Sequence, residues 1–242
     1  ALPISENLPM EARVLWFSEI TMRDLPRVGG KNASLGELTQ AARNLGIRVP
    51  RGFAVPGAAF DWHLKQTGLD SLISSSLKTL DPRHIHDLQK TGARLRNAVM
   101  ETPLPPPLTE EILRAYRKLC VISGDGQILP KSTLITIPAI EPEKKEDPEA
   151  EQNKTTPVPD AAPRPAVAIS VAVRSSATAE DLPEASFAGA QESFLNVIGE
   201  TELLEACKRC FASLYNDRAI SYRFEHGFAH QHVALSIGIQ EM

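Results

Sequence analysis

No apolar run in this sequence approaches the roughly 20 residues that a bilayer-spanning helix needs, so a membrane is not expected as a partner. The first ten residues, Ala1 to Met10, hold neither a basic region nor a long apolar stretch, and no signal peptide is expected. Cysteine is scarce. Cys120, Cys207 and Cys210 are too few and too odd in number for a disulfide framework, which points to a reduced, cytoplasmic protein. A positive surplus is also missing: 26 basic residues face 30 acidic ones, for a net charge of -4. Nucleic acid is therefore not expected as a partner, although a local basic pocket for a small anion stays open. The chain does have a mix of 42% hydrophobic and 23% charged residues over 242 positions. That suits a soluble globular chain with a real core, as one large domain or two small ones.

Val14 to Phe17 reads as a short buried strand. A turn-rich stretch leads to Gly29-Gly30-Lys31. A helix is expected after it, with Leu35, Leu38, Ala42 and Leu45 on one face and Gly46 as its C-terminal cap. Val49 to Val55 reads as a second strand with a turn in it. Helices come next. One begins at Phe60; one is expected after an Asp81-Pro82 start, with Ile85, Leu88, Leu95 and Val99 sharing a face. Another is expected to be capped by Thr109, with Ile112, Tyr116 and Leu119 on its apolar side.

Between Pro138 and Pro165 stand seven prolines, seven acids, four bases and no aromatic residue. Such a composition buries too little apolar surface to offset the entropy of ordering. The sequence therefore divides into an N-terminal part (12–122), a disordered Pro/Glu-rich insertion (123–165) and a continuation (166–242). Past the insertion, Val167, Ile169, Val171 and Val173 alternate with Ala168, Ser170, Ala172 and Arg174. This is a period-two strand with one large apolar face and one face of small residues that ends in an arginine. Glu192 to Val197 reads as a strand, and Thr201 opens a helix with Leu203, Cys207, Cys210 and Leu214 on one side. A short helix ends near Gly227, and His232 to Gln240 reads as a last strand. Its position at the end of the chain suggests an exposed strand edge and an incomplete domain.

Three segments carry residues suited to chemistry. In the first, Gly29 and Gly30 let backbone N–H groups approach a ligand, and Lys31 adds a charge at a helix start, which suits phosphate. It is not a Walker A loop, since Leu25 occupies the first glycine position and Asn32 replaces the hydroxyl residue. A plain tight turn with a solvated lysine is the alternative. In the second, a strand delivers Arg174, followed by Ser175 and Ser176 and then by Glu180 and Asp181. The arginine either binds phosphate oxygens in bidentate fashion or pairs with those acids across a turn. In the third, Ser186 to Ser193 includes Gly189 and Gln191, and is either a loop that closes over a ligand or an ordinary hairpin connection. The Cys207–Cys210 pair supplies only two metal ligands on an apolar helix side and reads as core packing. His226, His230 and His232 need not share a face, because Gly227 intervenes. No metal site is assigned.

The segments "VGGKNASLGEL", "VPRGFAV", "VAVRSSATAEDLPEASFAGAQESFLNV" and "DRAISYR" occur in one order. Together they resemble the N-terminal ATP-binding domain of the phosphoenolpyruvate synthase and pyruvate phosphate dikinase family. The resemblance runs from about Val14 to Gln240, apart from the insertion, and its wording is closer to the water dikinases. It implies an α+β, ATP-grasp-like nucleotide-binding domain, incomplete at its C-terminal end. ATP and Mg2+ are the implied cofactors, with the metal carboxylates falling beyond this sequence. Lys31 and Arg174 would be the catalytic cations on the ATP phosphates. Gly29, Gly30, Ser175, Ser176, Gly189, Gln191 and Ser193 would complete the nucleotide site. Ser193 keeps a hydroxyl where threonine is common, and Ala190 replaces a common glutamine. None of the six histidines sits in a phosphohistidine context. Pyruvate would be a partner only of a full-length enzyme. The alternatives are a non-catalytic binding remnant and the front of a rifampicin-type antibiotic phosphotransferase.

Overall fold

Alternation and helical periodicity resolve into five strands and seven helices in a computed structural model that describes residues 13–123, 168–177, 192–227 and 235–242. In chain order these are β1 (Leu15–Trp16), a 3-10 turn (Met22–Asp24), α1 (Leu25–Asn44), β2 (Gly52–Val55), α2 (Gly57–Thr67), α3 (Leu69–Lys78), α4 (Ile85–Glu101) and α5 (Pro106–Ser123). After them come β3 (Ser170–Ala177), β4 (Ser193–Ile198), α6 (Glu200–Ser213), α7 (Asp217–Glu225) and β5 (Leu235–Glu241). The class is α+β, as expected: every strand pair is antiparallel.

The sheet runs β1-β2-β5-β3-β4 and draws strands from both sides of the Pro/Glu-rich segment. That segment lies outside the described residues beyond Ser123. The expectation of an exposed last strand is overturned. β5 is the central strand, bonded to β2 on one side and to β3 on the other.

Alternation along these strands gives the sheet two unlike faces. Phe53, Val55, Val171, Val173, Ile237 and Ile239 point into the main core, with the buried sides of α2 to α6. Full burial of each such side chain contributes on the order of 1.5–3 kcal/mol. The opposite face carries small residues, and there α1 packs with Phe17, Ile20, Val28, Ala33 and Ala54 in a second, smaller cluster. The division of β3 into an apolar face and a small-residue face is as the sequence suggests.

Several helix boundaries differ from expectation. α1 does not begin after Lys31; it starts at Leu25 and passes through the glycine pair with a break at Gly29. Its buried residues include Val28, Ala33 and Ala42, while Leu38 is 55% and Leu45 72% exposed. Small side chains, not leucines, let this helix approach the sheet. Gly46 does cap it: φ is +68°, and the Ile47 N–H reaches back to the Ala42 carbonyl at 2.9 Å. Asp81 binds the backbone and guanidinium of Arg83 in a turn, α4 starts only at Ile85, and Ile85 faces solvent. Thr109 lies inside α5, which begins at Pro106, and its hydroxyl donates to the Leu104 carbonyl. The expected buried faces of α5 and α6, including Cys207 and Cys210, are found.

Candidate functional site

Gly29 has φ +72° and ψ 163°, a region that is essentially closed to residues with a Cβ. Its backbone divides α1 and starts a new helical segment at Gly30-Lys31. Pro26 stands in the first turn of the preceding segment, where its missing N–H costs nothing.

The residues just past Lys31 fix the helix on the sheet. Asn32 is buried, and its Nδ2 donates to the Val28 carbonyl and to Ser236 Oγ, each at 3.0 Å. Ser236 in turn donates to the Val55 carbonyl at 2.9 Å. This polar chain crosses from α1 to β5 and β2. Gly238 gives it room, since a Cβ there would lie 2.3 Å from Asn32 Oδ1. At the other side of the helix, Glu37 Oε1 accepts from the Met22 N–H at 2.9 Å, and Gln40 Nε2 donates to the Ile20 carbonyl at 2.7 Å. Asn32 and Glu37 therefore fix the helix on either side of Lys31.

Arg174 lies opposite Gly238 on β5 and opposite Ser193 on β4. Asn32 occupies the space that a side chain at Gly238 would take. A cleft of about 410 Å3 forms beside Asn32, lined by Lys31, Asn32, Ser34, Leu35 and Leu38 from α1, by Arg174 and Ser175 from β3, and by Phe17, Gly238 and Gln240. Lys31 and Arg174 thus border one cavity, and both are exposed. They are its only charged described lining residues, so the cleft is electropositive. Its apolar lip is Phe17, Leu35 and Leu38. Arg174 pairs with no acid among the described residues, and Glu180 and Asp181 lie outside them.

The other expected site residues divide. Ser175 also lines the cleft, but its hydroxyl is engaged with the Glu192 backbone, donating to the carbonyl at 3.3 Å and accepting from the N–H at 3.2 Å. Ser176 is buried, and its hydroxyl has no hydrogen-bond partner among the described residues. Ser193 opens on a separate groove between β4 and α6, beside Phe194, Glu202 and Arg209. Gly189 and Gln191 lie outside the described residues. Sequence reasoning overlooked Asn32, Gln240 and the apolar lip. For Gln240 a signal existed: it shares with Ser236 and Gly238 the small, polar face of an otherwise apolar strand.

No set of three or more His, Cys, Asp or Glu side chains among the described residues is arranged to hold a metal ion. No described helix is long and apolar enough to cross a membrane.

Known proteins share this arrangement of sequence. Residues 25–132 and 158–242 match the family described as pyruvate phosphate dikinase, AMP/ATP-binding domain. The chain is 42% identical over 229 residues to a phosphoenolpyruvate synthase of Neisseria meningitidis, covering 95% of this chain and 24% of that protein. It is 41% identical over 229 residues to a phosphoenolpyruvate synthase of Escherichia coli, again 24% of that protein. It is 39% identical over 237 residues to a probable phosphoenolpyruvate synthase of Staphylothermus marinus, covering 98% of this chain and 23% of that protein. The chain spans about a quarter of the length of the curated relatives it matches.

Proposed function

Because the chain belongs to the pyruvate phosphate dikinase AMP/ATP-binding domain family, we propose that the Lys31–Arg174 cleft binds the polyphosphate of ATP for a phosphoenolpyruvate synthase. The observation that supports this most directly is the convergence of two cations, from different elements, on one cavity that no described carboxylate lines. Phosphoryl groups in transfer carry spread negative charge, and catalysis there is mostly positioning and electrostatic stabilisation. Arg174 supplies a planar fork suited to phosphate oxygens, and Lys31 a point charge. The Gly30–Lys31 backbone adds N–H groups at a helical start. The apolar side chains of Leu35 and Leu38 offer a surface for a base or ribose.

In the longer protein the reaction would be ATP, pyruvate and water giving AMP, phosphoenolpyruvate and phosphate. The fold would be of the ATP-grasp type, with Gly189 and Gln191 closing over the phosphates, while Ser193 opens on the groove between β4 and α6 and takes no part in the cleft. Magnesium would be the accompanying ion in that enzyme. The described cleft does not fit it, because no described carboxylate lines the cavity. No described histidine lines the cleft either, so the phosphoryl acceptor is not among these residues. Binding and charge stabilisation are the tasks left to them. The matched proteins of Neisseria meningitidis, Escherichia coli and Staphylothermus marinus are phosphoenolpyruvate synthases or a probable one, and they lend no support to an antibiotic phosphotransferase.

Titration calorimetry of the purified chain with ATP, in low salt, tests the proposal. Lys31→Ala and Arg174→Ala should each weaken ATP binding by about tenfold or more, the scale of a lost charge-assisted contact of about 1.5–3 kcal/mol. AMP, with a single phosphate, should respond less. ATP affinity that survives both substitutions would refute the assignment.

A further inference from the structure

The outward face of α1 carries no charge between Lys31 and the end of the helix. Ser34, Leu38, Ala41 and Leu45 follow one another on it at steps of four, three and four residues, and all four are exposed. Ile47, just past the cap at Gly46, extends the stripe; like Leu38 and Leu45 it is more than half exposed. The other large apolar side chains that the described residues expose are scattered: Met22, Ile85, Leu195, Phe224 and Met242. Single exposed leucines are ordinary, whereas several on one stripe mark a surface that another body covers.

Steps of three and four are the seam along which one helix packs lengthwise on another. The order of side chains along this seam suits an identical partner. Ala41 is small, with Leu38 one turn before it and Leu45 one turn after it. A second α1 running the opposite way, with the two Ala41 residues on a two-fold axis, would set each Leu38 against the partner's Leu45. Such self-complementarity is what a two-fold interface requires. Charge agrees with that direction. Glu37 lies on the N-terminal side of Ala41 and Arg48 on the C-terminal side, and both are exposed. Arg48 forms no ion pair among the described residues. The antiparallel order brings acid and base together at both ends of the seam, whereas the parallel order would set like charges side by side.

We propose that the outward face of α1 docks a second copy of this chain, as an antiparallel α1–α1 pair about a two-fold axis at Ala41. Leu38 borders the nucleotide cleft on one side; the rest of the stripe lies outside it.

Sedimentation equilibrium of the full chain without nucleotide, from micromolar to near-millimolar concentration, tests this. A reversible monomer–dimer equilibrium is expected, and a weak one, because the seam is about three turns long. Leu38→Ser combined with Leu45→Ser should raise the dissociation constant about tenfold or more, and Arg48→Glu should raise it by a smaller factor. Under mild oxidation Ala41→Cys should yield a covalent dimer. Arg43→Cys, exposed on the same helix but off the stripe, should not. The native cysteines are buried and do not compete. The wild-type measurement stands whatever a variant does to folding. A chain that stays monomeric throughout would give the stripe to another occupant, such as the rest of a longer protein, and would overturn the proposal. So would a dimer of unchanged affinity in the double leucine variant, or cross-linking at position 43 in preference to 41. Unchanged affinity in Arg48→Glu would overturn the antiparallel order. None of these outcomes bears on ATP binding, which is tested through Lys31 and Arg174.

Discussion

Lowering the pH from 7 to 4 should cost the fold about 3 kcal/mol through His63 alone. His63 lies on the buried face of α2, fully shielded from solvent, beside the stacked rings of Phe60 and Phe211. Neither ring nitrogen has a hydrogen-bond partner among the described residues. Burial, with a smaller contribution from the Lys208 charge, lowers its pKa from 6.5 to about 4. In the unfolded chain the imidazole gains its proton near pH 6.5, whereas the folded protein resists it down to about 4. The unfolded state therefore binds more protons across that window, and stability falls as pH falls. The loss between pH 7 and pH 5 is about 2 kcal/mol, and it reaches about 3 kcal/mol at pH 4. Carboxylates titrate in the same range, so the measurement is a difference. Urea unfolding of wild type and His63→Leu should be compared at pH 7, 6, 5 and 4. The variant removes a buried, unsatisfied N–H along with the ring, so at pH 7 its stability should be close to wild type. As pH falls, wild type should lose stability relative to the variant by these same amounts. Parallel pH profiles for the two proteins would refute the reasoning.

Local geometry sets two further outcomes. Gly29→Ala forces a Cβ into a backbone region reserved for glycine, and should destabilise the chain by about 1–3 kcal/mol in chemical denaturation; no change in the unfolding midpoint would show that the α1 break relaxes freely. Cys120, Cys207 and Cys210 are all buried free thiols, and burial pushes the Cys207 thiol up to about 12 and Cys210 well above the ordinary range, so a thiol reagent at pH 8 should label them only at the rate of unfolding, and fast labelling of the native protein would contradict the packing of α6.

The sheet and its two faces were legible because period-two alternation is a local signal. Val171 and Val173 against Ala172 and Arg174 read the same way in the sequence as in the structure. Cys207 and Cys210 were legible as core residues by the same logic at helical spacing. Strand order was not: nothing in Leu235 to Glu241 says that β5 will lie between β2 and β3, because pairing across a gap of some 180 residues leaves no mark on local periodicity. The α1 reading held only in part. Of Leu35, Leu38, Ala42 and Leu45, which have helical spacing, Ala42 is buried and Leu35 packs on the smaller cluster, while Leu38 and Leu45 are exposed. Val28 and Ala33 complete the buried stripe, and a pattern weighted to leucine selects it only in part. Lys31 and Arg174 were expected at element ends and instead lie inside α1 and β3, and the role of Asn32 depends on Ser236, 204 residues away.

The long-range polar chain bears directly on the cleft. Two like charges border one cavity with no described acid among its lining, and the backbone sets where each of them stands. The Gly29 break sets where Lys31 leaves the helix, and the Asn32–Ser236–Val55 chain sets the helix against β5 and β2. The ladder register then places Arg174 beside Gly238, the strand position whose missing Cβ makes space for Asn32. A Cβ at 238 would meet Asn32 Oδ1 and displace the anchor of the helix. An entering polyphosphate would find both cations already placed by this framework, which is the preorganisation that the proposed ATP site calls for.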